Sequence, residues 1–206
     1  MTVFATRSIH AAPATRKIAR LGRRLPRSFY SRPTAAVARD LLGKVLVYDG
    51  PAGRRAARIV EVEAYLGEAD PASHAYRGPT PRAAVMFGAP GRSYVYFVYG
   101  MYHCLNVVTE RDGVAGAVLI RGAEPMIGFD GDERALAGPG KIGRELGLTT
   151  ADTGLDLVRS RLSIRDAPAV PRSRIVRSAR IGLTDHATTA KPWRFYVRGS
   201  SGVSRP

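Results

Sequence analysis

Glu61 and Glu63 stand two residues apart in RIVEVEAYL, residues 58–66. The segment alternates: Val60, Val62 and Ala64 take one face, while Ile59, Glu61, Glu63 and Tyr65 take the other. A carboxylate is costly to bury beside valines, so at least one of the pair should face a solvent cleft or be partnered. A glutamate in a cleft can take a proton from water or steady a developing positive charge. Four tyrosines then fall within nine residues: Tyr94, Tyr96, Tyr99 and Tyr102. A phenol ring can stack on a nucleobase for about 1–3 kcal/mol, and its hydroxyl needs a partner when buried. Taken alone, each group also reads as ordinary structure, a paired surface carboxylate in one case and core aromatics in the other.

Charge favours the nucleobase. The 206 residues carry 32 Lys and Arg against 17 Asp and Glu, a net charge of +15. Arginine dominates the excess, and its planar fork suits phosphate. Such a field attracts polyanions, so nucleic-acid binding is expected; a ribosomal-type or merely basic protein is the competing reading. The length suits one domain with a real core. The single cysteine, Cys104, excludes a disulfide framework and, with four histidines, a cysteine-based zinc site. It sits in an apolar run and reads as core packing. No apolar stretch approaches the roughly 20 residues of a membrane helix.

The elements that must position these residues follow from local pattern. Residues 1–25 read as a basic, disordered extension: a mitochondrial transit peptide, a tail, or the product of a misassigned start, with composition favouring a bacterial tail. The folded domain is placed at 26–200, with 201–206 as a flexible tail. A helix is predicted from Thr34, as cap, to Leu42, with Gly43 ending it. Lys44–Tyr48, Arg58–Leu66, Ser93–Tyr99, His103–Thr109 and Ala115–Arg121 read as strands. The third and fourth of these form a hairpin broken at Gly100. Residues 67–92 read as loop, with a short helix near Arg82–Met86. After Glu124-Pro125 helix and loop are expected, then a helix over Lys141–Leu146 opened by Gly138-Pro139-Gly140. Leu155–Arg165, Ile175–Gly182 and Trp193–Val197 close the chain as short strands. Hairpin-linked strands with helices gathered elsewhere imply α+β with an antiparallel sheet. Alternation puts Tyr94 and Tyr96 on one face and Tyr99 on the other.

Over residues 25–199 the sequence resembles the alkyladenine (3-methyladenine) DNA glycosylases, the alkylpurine glycosylases that lack a helix-hairpin-helix module. The resemblance is carried by RSFYSRPTAAVARDLLGKVLV, RIVEVEAYLGEADPASHAYRGPTPR, MFGAPGRSYVYFVYGMYHCLNVVT, AVLIRGAEP, GPGKI and KPWRFYVRG, in that order. It implies a single α+β domain with a curved, mainly antiparallel sheet, flanking helices and a protruding, DNA-intercalating β-hairpin. It implies that Glu63 is the general base activating water for attack on the sugar C1′, with Arg121 holding that water and Glu63 in place. Tyr65, His74 and Tyr96 would wall the pocket for an extruded base. Asn106 would reject guanine by crowding its exocyclic amine. Tyr99 would be the wedge that fills the vacated stack, and Lys141 and Met101 would lie against DNA phosphate. His74 acquires its role only through the resemblance, because a lone loop histidine is usually structural. Glu61 carries no family role and reads as structural; His10, His103 and His186 read as non-catalytic.

These roles suit one another. A purine inside a duplex must be flipped out before chemistry, at a cost of a few kcal/mol, and a wedge offsets part of it. The expected reaction is excision of alkylated or deaminated purines from double-stranded DNA. No Schiff-base lysine is suggested, so the strand should stay intact. No metal or cofactor is implied, and the expected state is a bacterial, cytoplasmic monomer. A non-enzymatic nucleic-acid-binding protein of the same fold, or an RNA-binding module, are the alternatives. Ala83, where an asparagine is common, and Ser201-Gly202 depart from the family pattern.

Overall fold

The computed structural model describes residues 21–183 and 191–205; His10 and His186 lie outside them. Helices α1 (Arg27–Tyr30) and α2 (Thr34–Leu41) precede β1 (Val45–Gly50) and β2 (Gly53–Tyr65). After a long loop come β3 (Ser93–Val98), β4 (Tyr102–Val108), β5 (Ala117–Ile127) and α3 (Pro139–Leu146). The chain ends on β6 (Leu162–Arg165), β7 (Ile175–Ser178) and β8 (Arg194–Val197). The strands form one antiparallel sheet in the order β3-β4-β5-β2-β1-β6, with β8 added to β2 and β7 to β8. It curls into a half-barrel, so the α+β, mainly antiparallel expectation holds.

The long strand β2 organises the site. Its first half pairs with β1, and Glu61–Glu63 pair with Tyr196–Arg194 of β8, while β5 runs along the other edge. With neighbours on both edges, Ile59 to Ala64 are buried on both faces. The register against β5 slips by one residue and slips back: Ile59 faces Ala123, Glu61 faces Gly122, and Val62 faces Ile120. Val60 and Arg121 are therefore the extra residues of two adjacent bulges. A bulge bends a strand and re-aims a side chain, and here it turns Arg121 toward the glutamates.

Local pattern and structure part at several points. Thr34 does not cap α2 with its side chain; Glu110 arrives from 76 residues away and accepts from both the Thr34 amide, at 2.5 Å, and its hydroxyl, at 2.7 Å. Strand β5 runs two residues past Pro125, to Ile127, before the expected loop and helix follow, and Pro125 sits beside a register shift against β2 at Ala57. The predicted strand over Leu155–Arg165 is confined to its last four residues, and that over Ile175–Gly182 to its first four. Both domain boundaries also move outward. Leu25 donates to Ile164 and Asp166 to Arg23, so the chain already packs along β6 before Pro26. At the other end Val203 is buried in the main core, so residues 201–205 are not a free tail.

Helix α3 lies against β4. A Cβ on Gly143 would stand 1.9 Å from the His103 carbonyl oxygen, and one on Gly140 2.7 Å from the Tyr102 ring. Only glycine admits this approach, and it braces the β3-β4 hairpin from behind.

Candidate active site

The β3-β4 hairpin pairs Ser93–Val98 with Val107–Tyr102, and its tip is Tyr99-Gly100. Both tip residues have positive φ, 54° and 67°, as a type I′ turn requires. A tyrosine there is strained, and such strain is retained chiefly where function over-determines it. Tyr99 is 78% exposed, with Met101 at 66% and Phe97 at 49% beside it. No other part of the described molecule displays three large apolar side chains so close in sequence.

Beneath the tip opens a cavity of about 420 Å³, within the range of small-ligand sites. Tyr65, His74, Tyr94, Tyr96, Asn106 and Arg121 line it, and Tyr99 reaches its mouth. The positive φ at the tip ends strict alternation, so Tyr99 is not separated from the pocket by the sheet, as strand counting implies. His74 stands edge-on to Tyr96, with ring centroids 4.7 Å apart, and its Nδ1 lies 2.8 Å from the Tyr94 hydroxyl. Desolvation and the Arg82 charge depress its pKa to about 4, so the imidazole is neutral near pH 7. The Arg82 guanidinium sits 5.2 Å from the Tyr96 ring centroid. Asn106 is buried and donates through Nδ2 to the carbonyls of Tyr94 and Cys104. Cys104 is buried yet borders the cavity, and burial raises its thiol pKa, keeping it unreactive.

Glu63 lies behind this lining. Its side chain is fully buried and reaches the cavity only through neighbours. Oε2 accepts from the Tyr65 hydroxyl at 2.9 Å; Oε1 accepts from the Ile181 amide at 2.8 Å and lies 3.4 Å from Arg121 Nη1. Tyr65, Ile181 and Arg121 all line the cavity. Desolvation raises the Glu63 pKa, with Arg121 opposing. The same desolvation, aided by the Glu63 charge, raises that of Tyr65, which keeps its proton on the shared hydrogen bond.

Glu61 is equally buried and shares the face, as alternation requires. Its Oε1 lies 2.7 Å from Arg194 Nε and 3.3 Å from Arg121 Nε; the second contact is an ion pair without hydrogen-bond alignment. Arg194, Glu61, Arg121 and Glu63 thus form a row of alternating charge, the arrangement that makes buried carboxylates tolerable.

Sequence reasoning missed the supports. Asp70 and Arg180 form a fully buried bidentate pair at 2.5 and 2.8 Å. Asp70 also accepts from the amides of Leu66 and Ala72, which pins the loop carrying His74. Arg180 lies 4.6 Å from the Tyr65 ring and 4.9 Å from the Trp193 ring, holding the pocket wall from behind. The available signals were slight: an acidic residue before Pro71, and an arginine late in the 175–182 segment. Lys141 stays out of the cavity, its ammonium 3.1 Å from the Arg134 carbonyl. His103 faces Phe97 on the hairpin, at 5.0 Å between centroids. Ala83 is buried in a small cluster with Met86 and Tyr94.

Residues 28–201 match the family model described as Methylpurine-DNA glycosylase (MPG). A protein of Anaeromyxobacter dehalogenans strain 2CP-C, named "Putative 3-methyladenine DNA glycosylase", is 53% identical over 89% of this chain and 87% of its own. Proteins of the same name from Methanocella arvoryzae and Myxococcus xanthus are 50% and 49% identical, each over 88% of this chain and over 96% and 93% of theirs. With one family model spanning nearly all of the described fold, and relatives this similar along most of their lengths, the chain belongs to the methylpurine-DNA glycosylase family, hydrolases of DNA repair.

Proposed function

We propose that the protein flips alkylated or deaminated purines out of duplex DNA and hydrolyses the N-glycosidic bond with a water activated by Glu63. The observation that carries this reading is the contact of Glu63 with Tyr65 and Arg121, two residues that border an aromatic cavity. Tyr65, His74 and Tyr96 clasp the flipped base, whose π faces suit their rings. A damaged pair flips more cheaply, which supplies part of the selectivity; Asn106, beside the base, excludes the guanine amine.

A carboxylate has about four lone-pair sites. Tyr65, Ile181 and Arg121 approach three of them, leaving one for a water beside C1′. The raised pKa makes Glu63 a better base than an ordinary glutamate once it is ionised. Its charge also opposes the oxocarbenium character that grows as the bond breaks. Arg121, tied to both glutamates, holds the base in line. Tyr99, Met101 and Phe97 enter the minor groove side of the opened step, as apolar wedges do, and Lys141 rests on phosphate near the α3 start. No lysine is among the described residues lining the cavity, which favours hydrolysis to an abasic site with the strand intact. The cavity is complete within one chain, which suits a monomer.

The decisive experiment is Glu63→Gln assayed on hypoxanthine- and ethenoadenine-containing duplexes, with alkali revealing abasic sites. Excision should fall by about 10²–10⁴-fold, the usual worth of a general base, while lesion binding persists. Unchanged excision by a folded Glu63→Gln chain excludes Glu63 as the base.

A further inference from the structure

Among the described residues, three cations line the cavity, Arg82, Arg121 and Arg205, and no carboxylate does. Arg121 is committed to the two glutamates and Arg82 to the face of Tyr96. Arg205 is different. Its side chain is exposed at the rim, and none of the described residues pairs with its guanidinium.

Its backbone, by contrast, is fastened. The Ser204 amide donates to Glu61 Oε2 at 2.6 Å and the Ser204 hydroxyl to Oε1 at 2.9 Å. Arg194 donates to the Arg205 carbonyl, and Val203 is buried in the core. The strap crosses β5 at backbone contact distance: a Cβ on Gly122 would lie 2.4 Å from the Gly202 carbonyl oxygen, and a Cβ on Gly202 2.4 Å from that of Ala123. Gly202 thus has a packing reason, and Glu61 ties this strap to Arg121.

We propose that Arg205 grips a backbone phosphate flanking the flipped nucleotide. The inference rests on the flipping reading above. The phosphates are the charged groups of a nucleotide, and they stay near the rim when the base enters an aromatic cavity. A guanidinium fork matches them bidentately. An exposed head on a fixed stem places that grip in constant relation to Arg121 and Glu63, so that holding the phosphate also sets the sugar.

The test compares Arg205→Ala and Arg205→Lys in the full chain with wild type. Affinity for a hypoxanthine duplex and for the matched undamaged duplex is titrated over a salt series, and single-turnover excision is measured at saturating protein. Arg205→Ala should weaken lesion binding about tenfold, the scale of one charge-assisted hydrogen bond. Undamaged binding should weaken much less, and the salt slope for the lesion duplex should fall by about one. The saturating rate should fall by less than the affinity, and Arg205→Lys should restore the salt slope but only part of the affinity. Equal weakening on both duplexes, no weakening on either, or a rate loss with unchanged affinity overturns the assignment. Absence of excision by wild type in the same assay would instead strike the proposed function, leaving the binding comparison to judge Arg205.

Discussion

Behind the floor of the cavity, four charged side chains from β2, β5 and β8 share one buried row, and nearly every polar atom in it meets an opposite charge or a hydrogen bond. At the mouth, Tyr99, Met101 and Phe97 stand in solvent on a strained turn. The floor is held by the fold and helps hold it, because each charge there is tolerable only while its neighbour is present. The mouth contributes little to folding and even costs something through the positive φ at Tyr99. Chemistry needs the first kind of construction, where groups must not move. The proposed entry into a duplex would use the second, where apolar surface waits for a partner.

Substitutions should separate the two regions. The largest effect is expected from Arg194→Ala, which leaves Glu61 buried without its nearest charge. Denaturant titration should show a loss of about 3–5 kcal/mol, and a loss under about 1 kcal/mol would mean that Glu61 does not depend on Arg194. Tyr99→Ala should do the reverse. Global stability should hardly change, while binding to a lesion duplex weakens by about 1–3 kcal/mol, the worth of one stacked ring. Equal lesion affinity for wild type and Tyr99→Ala removes the wedge. The smallest effect concerns pH. Burial raises the Glu63 pKa above the ordinary 4.5, and in the proposed mechanism the ionised form is the base. Single-turnover excision should therefore fall, as pH drops, through a midpoint above 4.5. Tyr99→Ala should leave that midpoint in place, because the mouth does not touch the row; a shared shift would show the regions to be coupled.

Much of the site was legible in advance. Alternation in residues 58–66 put Glu61, Glu63 and Tyr65 on one face, and the hydrogen bond from Tyr65 to Glu63 shows that it holds. Aromatic content marked β3, and Gly100 marked the tip. The same alternation failed where the chain turns or slips. It kept Tyr99 away from the pocket because a positive φ is not encoded in a period of two. It gave no warning that Glu63 would sit behind Tyr65 and Ile181 instead of lining the cleft, since Ile181 arrives from 118 residues away. Gly138-Pro139-Gly140 did open α3, but Gly140 and Gly143 also serve its close packing on β4.

The sequence by itself determined most of the strands, the hairpin, the basic charge and, through motif resemblance, the family. These are local or collective properties, set by periods of two, turn chemistry and composition. Tertiary structure decided the partners of the buried charges around the cavity: Arg194 lies 133 residues from Glu61, and Arg180 lies 110 from Asp70. Such pairs depend on which strands meet and where a register slips. A bulge of one residue turns Arg121 to the glutamates, and no local pattern records it.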